Sequence, residues 1–437
     1  MEKGEAGMYT LERRGKTAIY YDSTENVKIS VENKNVLGLI EIREPPELKY
    51  PEEYQTALRK PIGSKPLSDL GKDVEKVVII VSDATRGVPR AKVLPFIVEE
   101  LTASGVNEDQ ITVVIALGVH RPATRKEMLE IVGEKYFYKL KVINHEPYNP
   151  NELVYLGKTS QGTPIEVNKT VYNADLRIAI GKVEPHEFAG FSGGRKSVLP
   201  GIASERTVEV NHRPEMLLKK NIGPGMLEGN AISNDMAEGA QMLGIHFVVN
   251  FVLNSEGNAV GIYSGDIIES HSKAIEFMRS FIGVTLSEQP DIVVTTPGHP
   301  LNIDFYQSIK SIIALDRIMP ENGVIVLYTL CRDGFNSDDM LAAYDGAADI
   351  DQVIHHLQNH YKIQMDHALL LCKILKKNKK VVACSPNIEA NTFKKIFLEP
   401  ANNPQEALNR AIKISQKSNP NILFFPQPQR TLPTLEN

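Results

Sequence analysis

The chain has 437 residues, 42% of them hydrophobic, and a formal net charge of −5, which is enough apolar material for two or three domains. The acidic balance excludes a nucleic-acid surface, because neutralising phosphates takes a basic patch; the lysines of 376–380 read as a solvated helix end. The N-terminal MEKGEAGMYTLERRGK lacks the apolar core of a signal peptide, and no run approaches the roughly 18 apolar residues of a membrane span, so the expectation is a cytoplasmic protein without membrane contact. The three cysteines are odd in number and lack C-x-x-C spacing, which supports neither a disulfide framework nor a zinc cluster.

In chain order, residues 77–81 form a continuous apolar run ending in Ser82 and Asp83. Residues 93–101 carry helical spacing, and 111–117 form a second apolar run ending at Gly118 and His120. Such runs read as strands buried on both faces. A third, 176–180, leads into Gly181 and His186. In open α/β sheets ligands sit beyond the carboxyl ends of the strands, so segments 82–86, 118–121 and 181–186 are expected to converge on one crevice. Short helices are expected over 207–212 and 235–243, and a strand pair over 247–253 and 258–263 across Ser255-Glu256-Gly257.

Gly283 and Pro290 mark a join. Beyond it the order is strand 291–295, helix 305–318, strand 324–328, helix 368–375 and strand 381–383, that of a doubly wound unit. The expected fold is α/β with two domains, each a largely parallel sheet flanked by helices. Residues 1–284 would form an N-terminal cofactor-binding domain, 285–425 a C-terminal domain and 426–437 an extended tail, with the site in the interdomain cleft.

Segment 181–204, GKVEPHEFAGFSGGRKSVLPGIAS, is too rich in Gly and Pro to be ordinary core. It is not a Walker A loop, since Arg195 separates Gly194 from Lys196 and Pro200 interrupts the helix such a loop opens. It is not a zincin, since Gly190 stands where the second His would follow His186-Glu187. No G-x-G-x-x-G fingerprint follows a strand. What remains is a turn at Gly193 and Gly194 that brings backbone close to a ligand, with Lys196 able to pair with that ligand or bond to it. A lone histidine is more often structural than catalytic, and His145, His246, His271 and His299 carry no motif context. His355, His356, His360 and His367 could imitate a metal site, with His356 and His360 on one helical face.

The whole pattern EPHEFAGFSGGRKSVLPGI resembles the lactate racemase family. Other stretches are similar to that family's site motifs, in the same order: Ser82-Asp83-Ala84-Thr85-Arg86 with Pro89, Gly118-Val119-His120-Arg121-Pro122, Asn211-His212, and Pro300-Leu301 through Tyr306-Gln307 to Lys310. The resemblance runs from about Val77 to Lys310. It implies a 2-hydroxy acid racemase or epimerase that carries nickel in a pyridinium-3,5-bisthiocarboxylic acid mononucleotide, the nickel-pincer nucleotide, supplied by cofactor-biosynthesis proteins. Lys196 would be tethered to that nucleotide through a thioamide, and His212 would be the protein ligand to nickel. His120 and His186 would be the two bases, one for each enantiomer. Arg86 and Lys310 would hold and polarise the substrate carboxylate and hydroxyl. Asp83, Thr85, Gly193 and Gly194 would hold the nucleotide.

Chemistry gives the same need for a cofactor. The Cα–H of a 2-hydroxy acid lies beside a carboxylate and is too weakly acidic for a side-chain base near neutral pH, so inversion is easier by removing hydride and returning it to the other face. Side chains supply bases but no hydride acceptor. Lactate is the default substrate, with malate, a longer 2-hydroxy acid or a sugar acid as alternatives. The chain has no Trp to close a pocket on a small apolar substituent, and residues 331–336 only loosely follow the family's Gly-rich turn. The competing readings are a nicotinamide-dependent dehydrogenase and a non-catalytic 2-hydroxy acid binding protein.

Overall fold

Five apolar residues in a row leave strand Val77–Ser82 no face for water. In the computed structural model of this chain, which describes residues 8–436, that strand lies inside a six-stranded sheet. The strand order is Ala259–Gly265, Phe247–Leu253, Leu176–Lys182, Val77–Ser82, Ile111–Ala116, Lys141–Asn144. All neighbours are parallel except the antiparallel pair Phe247–Leu253 and Ala259–Gly265. Helix Arg90–Ala103 buries Val93, Leu94, Ile97, Val98 and Leu101 in the same core as Ile79, Val81, Val113 and Ile115. This larger unit comprises Glu44–His212 and Lys219–Phe281.

The other unit comprises the described residues up to Arg43, Arg213–Leu218, and the described part of Ile282–Asn437. Its six-stranded sheet, ordered Glu399–Pro400, Lys380–Cys384, Val324–Tyr328, Ile292–Thr295, Ile422–Phe424, Val36–Leu39, is parallel throughout. Strand Val36–Leu39 joins by pairing with Ile422–Phe424, which draws the N-terminal residues into this unit rather than the one that follows them in sequence. The antiparallel strands Tyr9–Arg14, Thr17–Asp22 and Val27–Glu32 come with it. Val27, Ile29 and Val31 face the core while Lys28, Ser30 and Glu32 face water, the two-residue alternation of a half-buried strand.

Residues 426–436 have a definite place. Strand Leu432–Leu435 pairs in parallel with Gly283–Leu286, and Gln429 bonds to Pro297 O at 2.7 Å and Ser311 Oγ at 2.8 Å. The first seven residues of the N-terminal stretch, and Asn437, lie outside the described residues. Among the described residues no helix is long and apolar enough to cross a membrane.

The turn before strand Val27–Glu32 buries two carboxyls. Asp22 accepts from Thr24 N at 2.9 Å, Glu25 N at 3.2 Å and Thr296 Oγ1 at 2.8 Å. Glu25, 1% exposed, accepts from Asn302 Nδ2 at 2.8 Å. Burial, reinforced by Asp22 and partly offset by the Asn302 hydrogen bond, pushes the Glu25 carboxyl up from 4.5 to about 7. A raised carboxyl binds its proton more tightly folded than unfolded, so its effect on stability is a loss that grows as pH rises from about 4.5 to 7. Glu25→Gln keeps an acceptor for Asn302 and cannot ionise. Its melting temperature should match the parent near pH 5 and exceed it above pH 7, by an amount equivalent to roughly 1–3 kcal/mol; parallel melting curves across that range would reject the assignment.

Candidate functional site

Strands Leu176–Lys182, Val77–Ser82 and Ile111–Ala116 are adjacent, parallel and aligned at Leu176, Val77 and Ile111. Their carboxyl ends therefore fall on one sheet edge, and the three loops expected to converge leave from it. Gly118 N donates to Gly201 O at 2.9 Å, joining the loop of His120 to the segment after Lys196.

At the first strand end Asp83 is buried and His120 is 40% exposed at its side chain. Asp83 Oδ2 lies 2.8 Å from His120 Nδ1, and Oδ1 accepts from Thr85 N at 2.8 Å and from the Thr85 hydroxyl. Burial alone would raise the Asp83 carboxyl, but the hydrogen bond to His120 and the charge of Arg86 outweigh it and hold it well below the usual carboxylate range. An ionised Asp83 accepts only, so His120 Nδ1 carries the hydrogen and Nε2 is the ring's basic atom. Asp83, for which the resemblance implies a nucleotide contact, already accepts from His120 and Thr85. Arg90, missed in the sequence, holds this loop from below by donating to Ser82 O at 2.9 Å, Ser82 Oγ at 3.0 Å and Asp83 O at 2.7 Å. Arg86 is exposed.

The second cluster gathers around an aromatic ring. Phe188 has the His186 ring at 4.5 Å, the His212 ring at 4.8 Å and Lys196 Nζ at 5.3 Å from its centroid. Lys196 Nζ is also 2.8 Å from His186 Nε2, and Glu187 Oε2 is 3.4 Å from His186 Nδ1. Three residues that the sequence spreads from 186 to 212 thus meet at one side chain. His212 follows helix Glu205–Asn211, where its N–H closes the last turn onto Val208 O at 2.9 Å. Asn211 anchors that end by donating to the fully buried Asp235 at 2.7 Å, which also accepts from Thr163 at 2.5 Å and from the Thr159 hydroxyl.

Lys196 sits on the short helix Gly194–Ser197, after Gly193 at φ +86°. A Cβ on Gly193 would lie 2.7 Å from Val183 Cγ2 and 3.0 Å from Asn250 Oδ1, so protein atoms already explain this glycine. Asn250 Oδ1 accepts from Gly194 N at 2.9 Å. The preceding residue in the loop, Arg195, turns away from Lys196 into the interior. Its guanidinium reaches Ser233 Oγ at 2.8 Å, His271 Nδ1 at 3.1 Å, Ala189 O at 3.3 Å and Phe191 O at 3.4 Å. His271 Nε2 donates to Ser192 O at 2.7 Å, and burial with the Arg195 charge drives the ring down to about 3, so His271 is a neutral acceptor for the arginine. Phe188, Asn250 and Asp235 were not singled out from sequence. Asn250 had a signal, one amide inside the apolar strand FVVNFVL.

Lys310 lies on helix Phe305–Leu315 of the smaller unit. Three of the histidines without motif context have structural partners: His271 as above, His145 Nε2, which meets Ala203 O at 2.9 Å with burial pushing its ring down to about 4, and His246 Nδ1, which accepts from Arg177 N at 3.0 Å. His356 and His360 stand 4.9 Å apart on helix Ile350–His360. Among the described residues no three His, Cys, Asp or Glu side chains form a metal site, so a metal held by His212 would have to bring other donors with it. An amine able to form a covalent bond and an imidazole packed around one aromatic ring suit a ligand of that kind.

Profiles of the lactate racemase N-terminal and C-terminal domains match residues 21–224 and 286–428, beyond both ends of the stretch quoted above. The lactate racemase of Thermoanaerobacterium thermosaccharolyticum is 33% identical over 363 residues, 82% of this chain and 84% of that protein. That of Lactiplantibacillus plantarum is 33% identical over 305 residues, 70% of this chain and 71% of that protein. The solved structure of the T. thermosaccharolyticum lactate racemase apoprotein matches with a TM-score of 0.87 at 29% identity, over 98% of this chain and 100% of that one. A Thermotoga maritima protein of 20% identity shares the fold at a TM-score of 0.65, over 90% and 100% of the two chains.

Gly193 tests how tightly the Lys196 turn is specified. Gly193→Ala places a side chain at positive φ against Val183 and Asn250, and should cost about 1–3 kcal/mol of stability, read as a lower melting temperature or denaturant midpoint. An unchanged midpoint would mean that the turn relaxes freely.

Proposed function

This chain belongs to the lactate racemase family, a family of isomerases, and we propose that it inverts a 2-hydroxy acid, lactate first, with a nickel-pincer nucleotide tethered to Lys196. The observation that carries this reading is the convergence of Lys196, His186 and His212 on Phe188, beside a strand end where His120 is backed by a buried carboxylate. Lys196 would form the tether, and His212 would give nickel its one protein donor. Bound there, the nucleotide would supply a reversible hydride acceptor, the one function no side chain provides.

The remaining work falls to residues of the chain. His120, with Nδ1 occupied by Asp83, offers Nε2 to the substrate hydroxyl and takes or returns its proton. His186 does the same from the opposite face, so each direction of inversion uses one ring as base and the other as acid. Exposed Arg86 offers a planar donor pair to the substrate carboxylate, Lys310 a second cation, and Thr85 with the Gly193-Gly194 turn contacts to the nucleotide. The proposed cofactor contacts all belong to the larger unit, which on this reading would be the cofactor-binding domain. The same reading makes the protein cytoplasmic, with a small-molecule substrate and the proteins that make and deliver the cofactor as its partners.

The class is tested by intact mass and metal content of protein produced together with the cofactor-synthesis proteins. A mass increment localised to Lys196, with bound nickel, is expected, and Lys196→Ala should lose the increment. An increment retained by that variant would reject the tether.

The hydride route has its own test. Substrate carrying deuterium at Cα should invert in ordinary water with most of its label retained, and acid quench should release some 2-oxo acid. Washout of the label at the rate of inversion, with no 2-oxo acid, would overturn the mechanism even with nickel and the adduct in place.

A further inference from the structure

We infer that His186 has an earlier task at this site: its Nε2 takes a proton from Lys196 Nζ and so makes that amine a nucleophile toward an acylating ligand. The inference rests on the reading of Lys196 as the tether only for the identity of its natural electrophile. An unperturbed lysine, with a pKa of about 10.4, is almost wholly ammonium at neutral pH and has no lone pair to attack with. It needs a proton acceptor within hydrogen-bond reach, and His186 Nε2 lies at 2.8 Å. Lysine nitrogen in its charged form only donates, so Nε2 is the acceptor and the ring hydrogen belongs on Nδ1. Glu187 Oε2 faces Nδ1 at 3.4 Å and favours that tautomer over the alternative, in which Nδ1 would accept from the Ala189 N–H at 3.5 Å.

Neither Phe188 nor Arg195 offers the proton a route. The Phe188 face, 5.3 Å from Nζ, favours the ammonium. Arg195 is a buried cation turned to Ser233, His271 and two carbonyls, and can accept no proton. His212 packs edge-on against the same ring, its centroid 4.8 Å from that of Phe188. His186 Nε2, at 2.8 Å, is a base within hydrogen-bond reach of the amine.

The step balances without an oxidant or reductant. With an activated acyl ester, the Lys196 N–C bond forms, the bond from the acyl carbon to its leaving group breaks, and His186 Nε2 receives the amine proton before passing it to solvent. With a thiocarboxylate, R–CO–S⁻ and the ammonium of Lys196 give R–CS–NH–Lys and one water.

The test uses the full chain without cofactor and a limiting amount of the N-hydroxysuccinimide ester of acetic acid. Peptide mass spectrometry then compares acetylation of Lys196 with that of the exposed Lys126 and Lys158. In His186→Gln the ratio should fall about 10-fold or more, whereas His120→Gln should leave it unchanged. A fall of less than about threefold overturns the inference. Because a loss could also follow from local misfolding, the second measurement is rescue: added imidazole should restore the Lys196 ratio in His186→Ala, as a mere structural prop would not allow, and absence of rescue counts against the proposal. The racemase reading fails separately, on the mass, nickel content and inversion of loaded protein.

Discussion

The site depends on the parallel, in-register pairing of three apolar strands. Leu176–Lys182, Val77–Ser82 and Ile111–Ala116 are buried on both faces and cannot be displaced by one residue without moving every side chain to the opposite face. That constraint sends three polar loops off the same edge. Antiparallel neighbours would have sent the middle loop to the other end of the sheet.

Polar anchors beneath the loops turn this approximate convergence into geometry. Arg90 holds the carbonyls of Ser82 and Asp83, Asn250 holds the Gly194 amide, Asp235 holds Asn211, and Arg195 gathers Ala189, Phe191, Ser233 and His271. Removing the partner of such a buried group costs its desolvation, of order 1–3 kcal/mol, so each anchor resists local rearrangement. Arg195 shows the cost most clearly. Its hydrogen-bond partners are neutral, and burial pushes the guanidinium down to about 10, which still leaves it charged near neutral pH. His271 can accept from that cation only as a neutral ring.

What the sequence made legible follows from how local the information was. The apolar runs at 77–81, 111–117 and 176–180 are local, and each became a strand within a residue or two at its end. The helix expected over 305–318 stops at Leu315, where the chain turns through Ile318 N to Leu315 O ahead of Pro320. The Val36–Leu39 strand was illegible, because its partner Ile422–Phe424 lies at the other end of the chain and no local pattern records the pairing. At the site, the family resemblance pointed to His186, Lys196 and His212, whereas nothing in the sequence marked their shared contact, Phe188. Asp83 is the instructive case. Sequence context placed it near a ligand, and only the structure shows its carboxylate turned to the ring of His120.

The two candidate bases are not equivalent. His120 is backed by a buried carboxylate held ionised through the neutral range, so its orientation and tautomer are set before any ligand arrives. His186 has a longer contact to Glu187 and spends its outer nitrogen on Lys196. Acylation of Lys196 would remove a positive charge from beside that nitrogen, and an amide nitrogen donates more weakly than an ammonium. Loss of a neighbouring cation favours the protonated imidazole. The bond that fixes the ligand would therefore also release His186 and make it more basic, so that the ring becomes available to substrate after, and because, the tether has formed.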